Sequence, residues 1–152
     1  MPTITPFLWF DGHAEEAMQL YTGIFKDAKV LSVTRAQGQV MAVRFSLLGQ
    51  EFMGLNGGPH FTFNEAVSFF VGCDTQAEID GFWSQLVADG GAPGRCGWLK
   101  DKFGLSWQIV PKVLTQLLGD PDRARSSRAM AAMLQMEKLD IAALQAAFDG
   151  AV

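Results

Sequence analysis

Apolar positions along the chain alternate, then recur at every third or fourth residue, then alternate again, and this succession occurs twice. Residues 4–10 (Ile-Thr-Pro-Phe-Leu-Trp-Phe) predict a strand in which Pro6 favours an edge or bulged position. Asp11-Gly12-His13 breaks it. From Ala14 the apolar residues Ala17, Leu20, Tyr21, Ile24 and Phe25 form the stripe of a one-sided helix. Residues 29–35 are β-branched and strand-like, and Gln37-Gly38-Gln39 turns the chain into a strand over 40–47. There Met41, Val43, Phe45 and Leu47 alternate with smaller or polar neighbours. Gly49-Gln50 turns it again into a strand over 51–55, giving the order β-α-β-β-β.

Asn56-Gly57-Gly58-Pro59-His60 is a breaker cluster, after which the pattern restarts. Residues 66–71 predict a strand, Asp74 a helix cap, and 75–88 a helix. Its stripe, Ile79, Phe82, Trp83, Leu86 and Val87, repeats the first helix's stripe 62 positions later at every member. Trp98 to Lys100 and 105–110 predict a hairpin around Asp101-Lys102-Phe103-Gly104, ended by Pro111. The strand after Gly104 aligns with the one after Gly49 at an offset of 55. The fold class is therefore α+β: two tandem βαβββ units, 1–57 and 65–111, in one domain spanning 1–152. Residues 112–152 predict a helical tail, with a short helix over 113–118 and a helix start at Asp120-Pro121-Asp122. Asp140 caps a last helix that presents Ile141, Leu144 and Phe148 on one face, and this tail docks on its own sheet or on a second subunit.

At 152 residues, half of them apolar, the chain can bury a real core. A net charge of -4 removes the basic stripe expected of a nucleic-acid binder, and Arg123, Arg125 and Arg128 read as a solvated helix face. No apolar run approaches the ~20 residues that span a membrane. Met1-Pro2-Thr3-Ile4 lacks the pattern of an export signal. Cys73 and Cys96 then read as reduced thiols, which points to the cytoplasm.

Two consecutive units of this kind resemble the vicinal oxygen chelate superfamily of glyoxalase I, extradiol dioxygenases and bleomycin-resistance proteins. More narrowly the chain resembles the PhnB-like, or 3-demethylubiquinone-9 3-methyltransferase-like, family. The resemblance rests on Ile4-Thr-Pro-Phe-Leu-Trp-Phe, on Gly57-Gly-Pro-His-Phe-Thr-Phe-Asn-Glu65, on Cys73-Asp-Thr-Gln-Ala-Glu-Ile-Asp80 and on the stretch 96–111; the tail also fits. It implies sheets that curl around a pocket, a homodimer, and in many members a divalent metal on four strand positions. Those positions read Thr5, Met53, Val67 and Gln108, of which only Gln108 is a credible ligand, so no metal and no cofactor are expected.

The candidate acid/base residues are His60, in the glycine- and proline-rich loop, and Glu65, before the fifth strand. Each has a plainer reading, as an exposed loop histidine and as turn chemistry. Trp9, Phe70, Trp98 and Trp107 would wall an aromatic pocket if they face inward and would be core if they do not. Asn56, Cys96 and Gln108 complete the candidate pocket. No Gly-x-Gly follows a strand and opens a helix, so the loop that many methyl-donor sites use is missing. The leading expectation is a binding protein for a small organic molecule, of the glyoxalase/bleomycin-resistance type. The alternatives are a lyase, isomerase or transferase using His60 or Glu65, and an interaction module working through the tail.

Overall fold

The first four strands hydrogen-bond in the order β1-β4-β3-β2, with β1 parallel to β4 and the rest antiparallel. They are β1 (Phe7–Phe10), β2 (Lys29–Ala36), β3 (Gln39–Leu47) and β4 (Gln50–Asn56), with α1 (Ala14–Ile24) crossing between β1 and β2. The computed structural model describes residues 1–151, and these strands belong to a compact unit, Met1–Thr62. The period-2 pattern sends Leu8, Phe10, Val43, Phe45 and Phe52 to one face, where all are buried. Helix α1 packs there through Ala14, Ala17, Met18 and Tyr21. Its stripe is thus rotated from the expected one: Leu20 and Ile24 are only half-buried, while Met18 is 2% exposed. Phe45 stacks on Phe52 with ring centroids 5.4 Å apart, and each fully buried side chain of this size contributes about 1.5–3 kcal/mol.

The second compact unit runs from Phe63 onward. Its sheet repeats the topology as β5-β8-β7-β6, with β5 (Ser68–Cys73) parallel to β8 (Ser106–Pro111). Strands β6 (Ala92–Pro93) and β7 (Trp98–Lys100) are short, and α2 (Gln76–Val87) covers one face with Ile79 and Leu86 buried. The cap of α2 is Thr75 in a capping box with Glu78, not Asp74. Thr75 Oγ1 accepts from the Glu78 N–H while Glu78 accepts from the Thr75 N–H, satisfying two helix-end donors at once. In the β7–β8 turn Gly104 takes φ +86, as its position requires, and its N–H donates to the Asp101 carbonyl at 2.9 Å.

The duplication is exact in topology but not in spacing. Three residues separate β1 from α1, and two separate β5 from α2. Phe7 pairs with Met53 and Phe70 with Gln108, so the helices repeat at 62 and the first strands at 63. The counterpart of Thr5 is consequently Ser68, one residue beyond the Val67 that the helix offset predicts.

The tail belongs to the second unit. It consists of α3 (Lys112–Leu118), α4 (Arg123–Met133) and α5 (Ile141–Asp149). Its cluster of Leu114, Leu117, Ala129, Leu139, Leu144 and Phe148 includes Val110 of β8, so it docks on its own sheet. Helix α4 starts after Asp122, which accepts from the Ala124 and Arg125 N–H groups; Pro121 precedes the cap instead of opening the helix. Asp140 caps α5, accepting from the Ala143 N–H.

Candidate functional site

The face of the second sheet opposite α2 carries the polar side chains. Ladder pairing places Ser68 and Phe70 of β5, Ser106 and Gln108 of β8, and Trp98 and Lys100 of β7 on that face. Leu99, Trp107 and Ile109 point the other way and are at most 2% exposed. At the β6–β7 end of the polar face lies a cavity of about 630 Å³, lined among others by Glu65, Pro93, Arg95, Cys96, Trp98, Lys100 and Ser106. Its volume lies within the range of small-molecule sites, roughly 300–1,000 Å³.

Its charges are two cations and one anion. Lys100 Nζ lies 2.6 Å from Glu65 Oε1. That hydrogen bond, reinforced by the ammonium charge, holds the Glu65 carboxyl below the ordinary glutamate range. Glu65 is therefore an anion at neutral pH. Arg95 Nη2 donates to the Leu134 carbonyl at 2.9 Å, which ties this side chain to the tail. Ser106 is fully buried, and its Oγ makes no hydrogen bond. An unpaired buried hydroxyl costs about 1–3 kcal/mol, and such atoms mark places where a polar partner belongs.

The tail also shapes the cavity's turn. The Cys96 and Gly97 N–H groups donate to the Met136 and Glu137 carbonyls, each at 2.8 Å. Cys96 is half-buried with φ +59, an uncommon conformation for a residue with a side chain. Gln108, across the ladder from Trp98, donates from Nε2 to Ser68 Oγ at 2.9 Å.

Of the residues singled out from the sequence, Glu65, Cys96 and Trp98 come together in the cavity. Phe70 and Gln108 lie on the same sheet face, Phe70 largely exposed at 59%. Trp107 lies on the opposite face, 2% exposed, donating from Nε1 to Asp101 Oδ2 at 2.9 Å. Asp101 lies inside the turn, 2% exposed, and also accepts from the Phe103 and Leu105 N–H groups. Trp9, Asn56 and His60 belong to the first unit. The Trp9 indole donates to the Gly58 carbonyl and packs edge-on against Phe61. Asn56 Oδ1 accepts from the Ala14 N–H at 2.9 Å, and its Nδ2 donates to the Val40 carbonyl. His60 is exposed. Cys73 is buried, and that burial pushes its thiol up to about 11.

Lys100, Arg95 and Ser106 carry the cavity's polar chemistry and are absent from the sequence-based set. The period-2 alternation of Trp98, Leu99 and Lys100 already puts Lys100 on the face of Trp98. Nothing local marks Arg95, whose partner is 39 residues away.

The strand positions that the resemblance assigns to a metal fit a divalent cation poorly. Met53 is paired with Phe7, and Gln108 is bonded to a serine hydroxyl. Among the described residues, no group of three or more His, Cys, Asp or Glu side chains lies close enough to hold an ion. Thr5, Met53, Ser68 and Gln108 offer hydroxyl, thioether and amide groups but no carboxylate or imidazole, a poor set for a divalent cation. Among the same residues, no helix is long and apolar enough to cross a membrane.

The PhnB protein from Bacillus cereus is 37% identical, covers 72% of this chain and 99% of its own, and superposes with a TM-score of 0.68. A protein from Pseudomonas aeruginosa is 20% identical, covering 73% of this chain and 98% of its own, at a TM-score of 0.59. A glyoxalase-related enzyme from Fulvimarina pelagi is 14% identical, covering 75% of this chain and 91% of its own, at 0.51. The last two likenesses are of fold alone. No curated protein matches the chain. The family profile described as 3-demethylubiquinone-9 3-methyltransferase matches residues 2–110, which leaves the helical tail outside the match and narrows the whole-chain resemblance expected from the motifs. With 2–110 matched and a two-sheet α+β architecture of the glyoxalase type, the chain belongs to the 3-demethylubiquinone-9 3-methyltransferase family.

Proposed function

We propose that this protein binds a small organic molecule in the cavity of its second unit, as a glyoxalase/bleomycin-resistance type protein that works without the divalent metal. The observation that carries this reading is the cavity of about 630 Å³, where Glu65, Lys100, Arg95 and the unpaired Ser106 hydroxyl converge on apolar walls that include Pro93 and Trp98. A Glu65 carboxyl held ionised by Lys100 is a poor proton donor at neutral pH, which speaks against its use as a general acid and leaves only the general-base role to the enzymatic alternative. The family's name implies methyl transfer, but β1 and β5 lead into their helices through short connections with no glycine-rich turn. We further place the protein in the cytoplasm as a homodimer. In support, both cysteines are free, and Phe7, Val67 and Phe70 are exposed apolar side chains available to a second copy.

Equilibrium dialysis with metal analysis, alongside calorimetric titration of an aromatic ligand panel, tests the reading. We expect saturable binding weakened by Trp98→Ala and no stoichiometric ion. A stoichiometric divalent ion lost in Gln108→Ala, or catalytic turnover abolished by His60→Ala or Glu65→Gln, would replace it with an enzymatic one. Size-exclusion chromatography with light scattering tests the dimer, and a monomer at working concentrations would remove it.

A further inference from the structure

The cavity is lined by a contact that an incoming ligand can copy. Glu65 precedes β5 and belongs to no strand, and its side chain is 63% exposed, while Lys100 sits on β7 with 43% exposure. The carboxylate of Glu65 is thus a movable group resting on a cation that the sheet positions. An exposed ion pair of this type adds little to stability, so displacing it costs little. Beside it, Ser106 is the direct ladder partner of Lys100, buried, with its hydroxyl unspent. Arg95 lines the same cavity and is fixed by the Leu134 carbonyl through one nitrogen, leaving its other N–H donors. Ala92, Pro93 and Trp98 supply apolar surface, the indole being a flat wall on which a ring can stack.

With the proposed binding role as its basis, we infer that the ligand class is a flat, mainly apolar molecule carrying one carboxylate, which replaces Glu65 on Lys100. The cavity's side-chain charge supports this. Lys100 and Arg95 against Glu65 leave a net positive site in a protein of net charge -4. The geometry shows that a carboxylate fits on Lys100, since one is already there at 2.6 Å. Glu65 then acts as an internal competitor: it satisfies Lys100 in the free protein and swings to solvent in the complex. A neutral ligand of the same shape gains the apolar wall but must leave the Glu65–Lys100 pair in place. Discrimination between acid and amide therefore resides in Lys100 and is opposed by Glu65.

Calorimetric titration with benzoate and with benzamide, at low ionic strength, tests this on the wild-type chain and on the Glu65→Gln and Lys100→Met variants. Both substitutions alter part-exposed side chains and leave the core intact. We expect benzoate to bind about two- to fivefold more tightly than benzamide, the size of one part-exposed ion pair, since its carboxylate takes over Lys100 from Glu65. Glu65→Gln tightens benzoate about two- to fivefold, the size of one exposed ion pair, and leaves benzamide unchanged. Lys100→Met removes the preference. If the two probes bind equally, or if neither variant moves benzoate, the carboxylate inference is overturned while a binding cavity stands. Binding of neither probe, with no ligand in the aromatic panel sensitive to Trp98→Ala, overturns the inference and the binding reading together.

Discussion

The Gln108 side-chain amide donates to Ser68 Oγ at 2.9 Å, across the parallel β5–β8 pair. Gln108 is the one residue of metal-ligand type at the strand positions, and Ser68 is the structural counterpart of Thr5 at the strand offset of 63. Two positions that would carry a metal in a chelating relative thus hold each other. The bond orients the amide on the sheet face opposite α2. The same logic of one strand side chain satisfying a distant partner recurs in the first unit.

Asn56, at the end of β4, supplies the side-chain acceptor at the start of α1. The N-cap residue His13 makes no side-chain capping bond, and Asn56 Oδ1 takes the Ala14 N–H instead. Its amide also ties down the Val40 carbonyl at 3.1 Å. Asn56→Ala leaves one helix-end donor and one strand acceptor unmet, and we expect a loss of about 1–2 kcal/mol in urea unfolding. Asn56→Asp keeps the acceptor and should lose less. A neutral Asn56→Ala would show that water replaces both bonds.

Asp101 organises the β7–β8 hairpin from inside. Its carboxylate accepts from the Phe103 and Leu105 N–H groups at 2.9 and 3.1 Å, and from the Trp107 indole at 2.9 Å. Because the residue is 2% exposed, Asp101→Ala strands donors that water reaches poorly. We expect a loss of about 3 kcal/mol or more in denaturant unfolding, with Asp101→Asn losing less because one carbonyl oxygen remains. An altered Trp107 near-ultraviolet signal should accompany it.

The duplication was legible because two helical stripes and two final strands repeat residue by residue, and periodicity survives whatever the surroundings. The site was less legible. Trp107 and Trp98 have the same composition signal, and only the ladder register sends one to the core and the other to the cavity. Asn56 reads as turn chemistry, yet its partners are 42 and 16 residues away. Buried polar residues acquire their roles from distant donors, and no local pattern encodes those. The misplacement of Val67 for Ser68 has a similar origin: a connection shorter by one residue changes the strand offset and leaves the helix stripe untouched.

Glu65 should titrate low. Its folded-state pKa lies below the ordinary value because the Lys100 ammonium bonds and attracts the carboxylate. Such a group adds stability that is present above its unfolded pKa and is lost as pH falls through the folded one. Carboxyl NMR should place the Glu65 midpoint below that of an unpaired glutamate, and Lys100→Met should raise it. High salt should raise it in the same direction, since the pair is exposed. An unchanged midpoint in Lys100→Met would mean that the pair does not persist in solution.

The tail holds the cavity's turn through Leu139, which is fully buried and packs against Gly97. Gly97 has φ +88, and a Cβ there would come within 2.8 Å of the Ile109 carbonyl oxygen and 3.0 Å of Leu139 Cδ1. Gly97→Ala should therefore cost about 1–3 kcal/mol from backbone strain alone. Leu139→Ala should cost about 2–5 kcal/mol by opening a void between the tail and β8. The two changes act on one contact from opposite sides, and the double variant should lose less than the sum, because the void left by Leu139 receives the added methyl. Both should also loosen the bonds from the Cys96 and Gly97 N–H groups to the Met136 and Glu137 carbonyls. Hydrogen exchange at those two amides reads this directly: faster exchange in Leu139→Ala, with β3 and β4 amides unchanged, separates local undocking of the tail from global destabilisation. Uniform acceleration across both units would instead make Leu139 a residue of general stability with no particular hold on the turn.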